Sequence, residues 1–116
     1  MKLALVLTKP PYGNIQAAEA VRHAMGALSD EIETRMFLCE GGVLLAIKNQ
    51  SEDDTGYTNL AESLKNLIDL GADVFAEKSS LRNYELEADS LVEGVGIKNG
   101  YDISEMIKES DKTMIF

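Results

Sequence analysis

The sequence predicts an α/β protein built on a five-stranded parallel sheet with helices on both faces. Short apolar segments without alternation recur along the chain, a pattern typical of strands that are buried on both faces. Segments with apolar residues at helical spacing lie between them, and this alternation of strands and helices favours a parallel sheet. The length of 116 residues fits a single domain over positions 1–116.

The first two strands and the first helix are predicted in the first part of the chain. Residues 3–7 are all apolar and are followed by a run rich in proline and glycine, which breaks the strand. A helix comes next, with Asn14 as its candidate cap. Its apolar stripe consists of Ile15, Ala18, Val21, Met25 and Leu28. Residues 32–39 form the second predicted strand, and a short helix over 43–48 follows a glycine pair.

An exposed loop and a longer helix are predicted in the middle of the chain. The loop spans residues 49–56, and its acidic run lacks the spacing of a calcium-binding loop. Thr58 is the candidate cap of the helix, and Gly71 supplies its left-handed C-terminal cap. The apolar stripe of this helix consists of Leu60, Leu64, Leu67 and Ile68.

The last part of the chain repeats the pattern with shorter elements. A buried strand over 73–76 precedes a short helix over 81–86, which Ser79 or Ser80 can cap. Asp102 and Glu105 have the spacing of a capping box, which predicts the start of another helix there. The remaining predicted elements are a strand over 95–97, that helix over 103–109 and a closing strand over 113–116.

The charge and the apolar segments exclude several classes of function. The net charge of -9 argues against a direct grip on nucleic acid and against adhesion to anionic membranes. No apolar stretch approaches the length of a membrane span, and the apolar start is too short for a signal peptide. We therefore expect a cytoplasmic protein that contacts neither nucleic acid nor membrane.

Cys39 and His23 are the only cysteine and the only histidine. One cysteine cannot form an internal disulfide, which agrees with a reducing compartment. Neither residue has a second ligand of its kind for a metal site, and we expect no metal and no cofactor. His23 falls on the polar side of the first helix, where a surface or subunit-contact role is the simplest interpretation.

The predicted site is one cleft at the edge where the parallel strands end. In such a sheet the loops after each strand gather on the same edge, and each loop here precedes a helix. Backbone N–H groups at helix N-termini favour a small anionic ligand. The candidate ligand-binding residues in these loops are Tyr12, Gly13, Gly41, Gly42, Glu77, Ser79 and Ser80.

Cys39 has two interpretations. It closes an apolar strand and precedes a glycine pair, so N–H groups at Gly41, Gly42 and Val43 could stabilise a thiolate for catalysis. The adjacent Glu40 opposes thiolate formation, because its negative charge disfavours a second one nearby. The alternative is a small hydrophobic residue packed at a strand end, which is common for free cysteine.

Four segments, in order and spacing, make the chain resemble the DsrE/TusD group of sulfur-relay proteins. The first has a Pro11-Tyr12-Gly13 turn after a strand, and the second has Glu40-Gly41-Gly42-Val43 after a phenylalanine-containing strand. The likeness spans almost the whole chain. The matching segments are residues 7–13 with 16–18, 37–43, 89–95 and 109–116.

The resemblance implies a flavodoxin-like three-layer α/β/α fold, assembly into trimers or hexamers, and a persulfide-carrying cysteine just after the third strand. In this sequence Glu77 stands where that cysteine is expected, and Ser110 stands where some members have another. A carboxylate cannot carry sulfane sulfur. The family's usual sulfur-carrying position is therefore without a thiol.

Two classes of function follow. The first is a non-catalytic subunit, or a member that binds a small anion or a partner in sulfur relay, as a homo-oligomer or with paralogous subunits. The second is a sulfurtransferase-like persulfide carrier that uses Cys39 for tRNA thiolation or sulfur oxidation. An unrelated ligand binder of the same fold also stays open, because fold does not fix function.

Overall fold

The computed structural model describes residues 1–48 and 60–116, so the predicted loop over 49–56 and the Thr58 cap lie outside the described residues. In chain order the strands are β1 (Lys2–Leu7), β2 (Glu33–Leu38), β3 (Asp73–Glu77), β4 (Gly96–Lys98) and β5 (Lys112–Ile115). The α-helices are α1 (Gln16–Ser29), α2 (Leu60–Asp69), α3 (Lys78–Asn83) and α4 (Gly100–Lys108). Two 3₁₀ helices span Glu40–Ala46 and Ala88–Ser90.

The five strands form one parallel sheet, which confirms the predicted fold. Their order is β4-β3-β2-β1-β5, and every pairing between neighbours is parallel. The steps from β1 to β4 all run in one direction across the sheet, whereas the step from β4 to β5 runs back past β1. Because such crossovers are right-handed, the reversed step puts α4 on the opposite face from the other helices.

The two faces of the sheet carry separate apolar clusters. On one face Leu3, Leu5 and Leu7 of β1 pack with α1 and α2 in the main core. On the other face α4 inserts Ile103 against Ala4 and Phe37. The sheet is therefore the middle of three layers, and it is buried on both sides as its non-alternating strands predict.

Four helix starts differ from the predictions. At α1 the cap position is Ile15 rather than Asn14. The 3₁₀ helix begins at Glu40, directly after the second strand, and α3 begins at Lys78, so neither Ser79 nor Ser80 is its cap. The cap of α4 is Asn99, whose side-chain oxygen accepts a hydrogen bond from the N–H of Asp102 at 2.8 Å. Asp102 is thus inside the helix, because Asn99 satisfies the orphan N–H three positions later.

The predicted C-terminal cap of α2 is confirmed. Gly71 has a φ of 110° after α2, as a left-handed cap requires. Among the described residues, no helix is long and apolar enough to cross a bilayer.

Candidate functional site

Three side chains of different chemistry end neighbouring strands at the carboxyl edge of the sheet. Leu38 is paired with Ala76, so the next residues, Cys39 and Glu77, are neighbours across β2 and β3. Glu77 is in turn paired with Lys98 of β4. We call Cys39, Glu77 and Lys98 the carboxyl-edge row.

The carboxyl-edge row lies on the face that α4 covers. Cys39 packs against the small cluster of Ala4, Phe37 and Ile103. A Cβ on Gly100, the first residue of α4, would lie 3.4 Å from Glu77 Oε2. Lys98 Nζ lies 5.9 Å from the centroid of the Phe75 ring, within the range of a cation–π contact. These contacts place a thiol, a carboxylate and an ammonium group beside the start of one helix.

Ser80 links the two loops of the site. Ser80 is only 3% exposed, and its hydroxyl oxygen accepts a hydrogen bond from the Glu40 N–H at 2.7 Å. The same hydroxyl donates to Glu77 Oε1 at 2.5 Å. The turn after β2 and the carboxylate at the end of β3 are therefore held together through one buried side chain.

The glycine pair after Cys39 allows close packing rather than an unusual φ. The left-handed residue of this turn is Glu40, with a φ of 51°. A Cβ on Gly41 would lie 2.9 Å from Pro10 Cδ, so this turn is pressed against the loop that follows β1. The Gly42 N–H donates to the carbonyl oxygen of Cys39 at 2.8 Å. The Gly42 N–H is therefore already hydrogen-bonded to the backbone.

The environment of Cys39 favours the protonated thiol. Burial is the largest of three causes that together raise the pKa of the thiol from 9.0 to about 11, and the carboxylates of Glu77 and Glu40 are the other two. The sequence predicts that Glu40 opposes ionisation of the thiol. The structure adds Glu77, whose effect on the pKa is larger than that of Glu40. The raised pKa thus disfavours a thiolate at this position, and a catalytic role of Cys39 stays a prediction.

The other predicted ligand-binding residues lie in different places. Tyr12 and Gly13 line an apolar groove of about 720 Å³ between α1 and the start of α2. Ser79 is exposed on α3. Of the predicted cleft, the structure thus joins Cys39 with Gly41, Gly42, Glu77 and Ser80 around one edge. Tyr12 packs against the main core on the other face of the sheet.

His23 is exposed on α1, as its position on the polar side predicts. Its Nδ1 atom lies 2.8 Å from the carbonyl oxygen of Glu19, and its ring lies 5.4 Å from that of Phe116. Neither contact involves Cys39. In the described ranges, no group of three or more acidic, histidine or cysteine side chains is arranged to hold a metal ion.

Sequence reasoning missed Lys98 and the role of Ser80. Lys98 lies 21 positions after Glu77, and only the pairing of β4 with β3 brings the two residues together. Ser80 was interpreted as a helix cap, whereas its hydroxyl joins two loops that are 40 positions apart. The weak sequence signal for Lys98 is that it directly follows a predicted strand, as Glu77 does.

The fold and the site define a small parallel α/β protein whose one cysteine stands at the carboxyl edge of its sheet. The chain belongs to the DsrE/DsrF-like family, whose model matches residues 1–116. An uncharacterised protein of Methanocaldococcus jannaschii is 36% identical over 116 residues, with 100% of both chains covered. An uncharacterised protein of Methanopyrus kandleri is 33% identical, with 98% of this chain and 93% of the relative covered.

Solved structures agree with this fold. The YchN protein of E. coli superposes with a TM-score of 0.92 at 21% identity, covering 100% of this chain and 99% of that one. A protein of unknown function from Methanobacterium thermoautotrophicum gives 0.78 at 13% identity, with 99% and 98% covered. At these identities the likeness concerns the fold alone.

Proposed function

We propose that this chain is a non-catalytic, partner-binding member of its sulfur-relay-related family and does not carry sulfur on Cys39 at neutral pH. The observation that supports this is the Glu77 carboxylate beside the only thiol of the chain. Sulfur transfer needs the thiolate, because the thiol itself is a poor nucleophile. With a pKa of about 11, only roughly one thiol in ten thousand is ionised at pH 7.

The resemblance to sulfur-relay proteins supports the same proposal. Glu77 stands where the resemblance implies the sulfur-carrying cysteine, so a carboxylate replaces the expected thiol. The position keeps its place at the end of β3 and at the carboxyl edge. A member with this change retains the surfaces of the fold without the chemistry of sulfur transfer.

The partner in this proposal is a second copy of the chain or a paralogous subunit. On the α4 side the sheet is covered by one nine-residue helix, and two large apolar side chains stay exposed there. They are Tyr101 of α4 at 73% and Ile115 of β5 at 74%. Exposed apolar side chains on one face are the groups that a partner would cover. The net charge of -9 and the free cysteine favour a cytoplasmic protein partner over nucleic acid or membrane.

Incubation with a sulfane-sulfur donor tests whether Cys39 carries sulfur. Wild type and Cys39→Ser are treated with the donor at pH 7.5, and intact masses are measured. We expect no adduct on either protein. A sulfur adduct on wild type that is missing from Cys39→Ser would overturn the non-catalytic proposal.

Sedimentation velocity tests the partner-binding half of the proposal. At about 30 μM we expect an oligomer, since stable interfaces have much lower dissociation constants. Ile115→Lys should weaken association by placing a charge on the proposed surface. Ile15→Lys is the matched control, because Ile15 is 70% exposed but lies by the groove on the other face. A wild-type monomer, or equal effects of the two variants, would contradict a self-association surface at β5.

The second candidate function is a persulfide carrier that uses Cys39. The observation in its favour is that Cys39 ends β2 at the carboxyl edge and is only partly buried. In the required step, the thiolate attacks the outer sulfur of a donor persulfide. A new S–S bond forms on Cys39, and the donor leaves as its own thiolate. The adduct experiment separates this function from the first.

A further inference from the structure

We propose that Ser80 is a positioning residue that fixes the Glu77 carboxylate beside the Cys39 thiol and so keeps that thiol unreactive. The inference rests on the proposed function and names the device that suppresses sulfur chemistry at this site. It assigns Ser80 a role other than helix capping or ligand binding.

The hydrogen bonds of Ser80 determine where the Glu77 carboxylate lies. The Ser80 hydroxyl donates to Glu77 Oε1 at 2.5 Å, while Oε2 faces Gly100 at the start of α4. A glutamate side chain has several rotatable bonds and is free to turn toward solvent when nothing holds it. Glu77 is only partly buried, so solvent is within its reach. The bond from Ser80 selects the orientation near Cys39.

The same hydroxyl also fixes the turn that carries the second carboxylate. Glu40 has a φ of 51°, a conformation that costs a residue with a side chain about 1 kcal/mol or more. Its N–H is bonded to Ser80 Oγ at 2.7 Å, which anchors the turn in this conformation. Because Ser80 is 3% exposed, water has little access to replace either bond.

The other groups that face the thiol do not offset these carboxylates. From α4 the neighbours are Ile103, Met106 and Ile107, none of which ionises. Arg35, on the same face of β2, is paired with Glu109 at 3.2 Å. Lys98 of β4 lies one strand further away, with its ammonium group over Phe75. The charges that act on the thiol are thus Glu77 and Glu40, and they add to the effect of its burial.

The test is the pH profile of Cys39 alkylation by iodoacetamide in the whole protein. Ser80→Ala should raise the rate at pH 8 by at least about fivefold and move the midpoint to lower pH. Glu77→Gln should do the same, because it removes the charge. In the Glu77→Gln background Ser80→Ala should have almost no further effect, since its action passes through the carboxylate. Ser104→Ala, at an exposed serine of α4, is the matched control.

A second variant keeps the test decisive where Ser80→Ala does not fold, since it leaves the buried Glu40 N–H without its acceptor. Glu77→Asp retains the charge and leaves the bond between Ser80 and the Glu40 N–H in place, and we expect its shorter side chain to bond the Ser80 hydroxyl less well. We expect its midpoint to lie between those of wild type and Glu77→Gln.

Two results would overturn the role of Ser80. One is a wild-type alkylation profile in Glu77→Asp, with the same profile in Ser80→Ala if that variant folds. The other is an equal rise in rate when Ser80→Ala is introduced into wild type and into Glu77→Gln. Rapid alkylation of wild type at pH 7 would instead contradict the proposed function itself. The profile of the unmodified protein therefore distinguishes the two failures.

Discussion

Gly42 lies directly against the backbone of Leu7 at the end of β1. A Cβ at position 42 would be 2.1 Å from the Leu7 carbonyl oxygen and 2.8 Å from its carbonyl carbon. These are backbone atoms of a central strand, so they cannot move aside as a flexible side chain can. The glycine thus sets how closely the turn after Cys39 approaches the neighbouring strand.

Gly42→Ala should destabilise the fold by about 3 kcal/mol or more, because its methyl group meets a fixed strand. Gly26→Ala is the matched control in the same protein. A Cβ at Gly26, exposed in the last turn of α1, meets nothing within 4 Å. Alanine is the better helix former, so this change should stabilise by about 0.5–1 kcal/mol. Urea unfolding of both variants measures the difference, and a Gly42→Ala protein as stable as wild type would refute the contact.

Cys39 should make the stability of the fold depend on alkaline pH. The folded-state pKa is raised to about 11 from 9.0, so the unfolded chain loses this proton first. Stability from this group is complete below pH 9 and is lost as the pH rises through 11. The loss should be on the order of 1 kcal/mol, less than the full shift would give, because solvent partly screens the site.

The measurement is the difference in unfolding free energy between wild type and Cys39→Ser from pH 7 to 11. Serine does not ionise in this range, and every other group is common to the two proteins, so the difference isolates the contribution of Cys39. Above pH 9 the unfolding free energy of wild type should fall relative to that of Cys39→Ser. A constant difference across the range would show that Cys39 has an ordinary pKa in the folded protein.

Asn99 should be the cap whose loss weakens α4. Asn99→Ala removes the acceptor for the Asp102 N–H, and such caps are worth about 1 kcal/mol. Asp102→Asn should cost only a few tenths of a kcal/mol, since it removes a charge near the helix N-terminus and no cap. Thermal unfolding compares the two. A larger cost for Asp102→Asn would restore Asp102 as the cap that the sequence predicts.

The strands could be predicted from the local pattern because burial on both faces requires apolar residues on both faces of a strand. In β1 the residues Leu3, Leu5 and Leu7 face the main core, while Ala4 lies in the cluster under α4. Both sets are apolar, and the lack of alternation follows. The predicted start of α4 after Asp102 is wrong, because Asn99 is also a good cap and β4 ends at Lys98, directly before it.

The site could be predicted only in part, because its arrangement depends on which strands are neighbours. The sequence places Cys39 and Glu77 at strand ends, but it carries no sign that these strands are adjacent or that Lys98 comes next. The role of Ser80 depends on a contact between two loops. Tyr12 also follows a strand, yet it packs on the main core because the chain turns toward α1 there.

The position of β5 beside β1 has a consequence for how the molecule assembles. The Lys2 N–H donates to the Asp111 carboxylate at 2.7 Å, so this closure joins residues 109 positions apart. Contacts of such long range are slow to form, because the chain entropy of a large loop must be lost first. During synthesis β1 therefore keeps one edge open until the segment over residues 112–115 has left the ribosome. A nascent chain interrupted before that point exposes an apolar central strand, which makes it prone to pair with other chains.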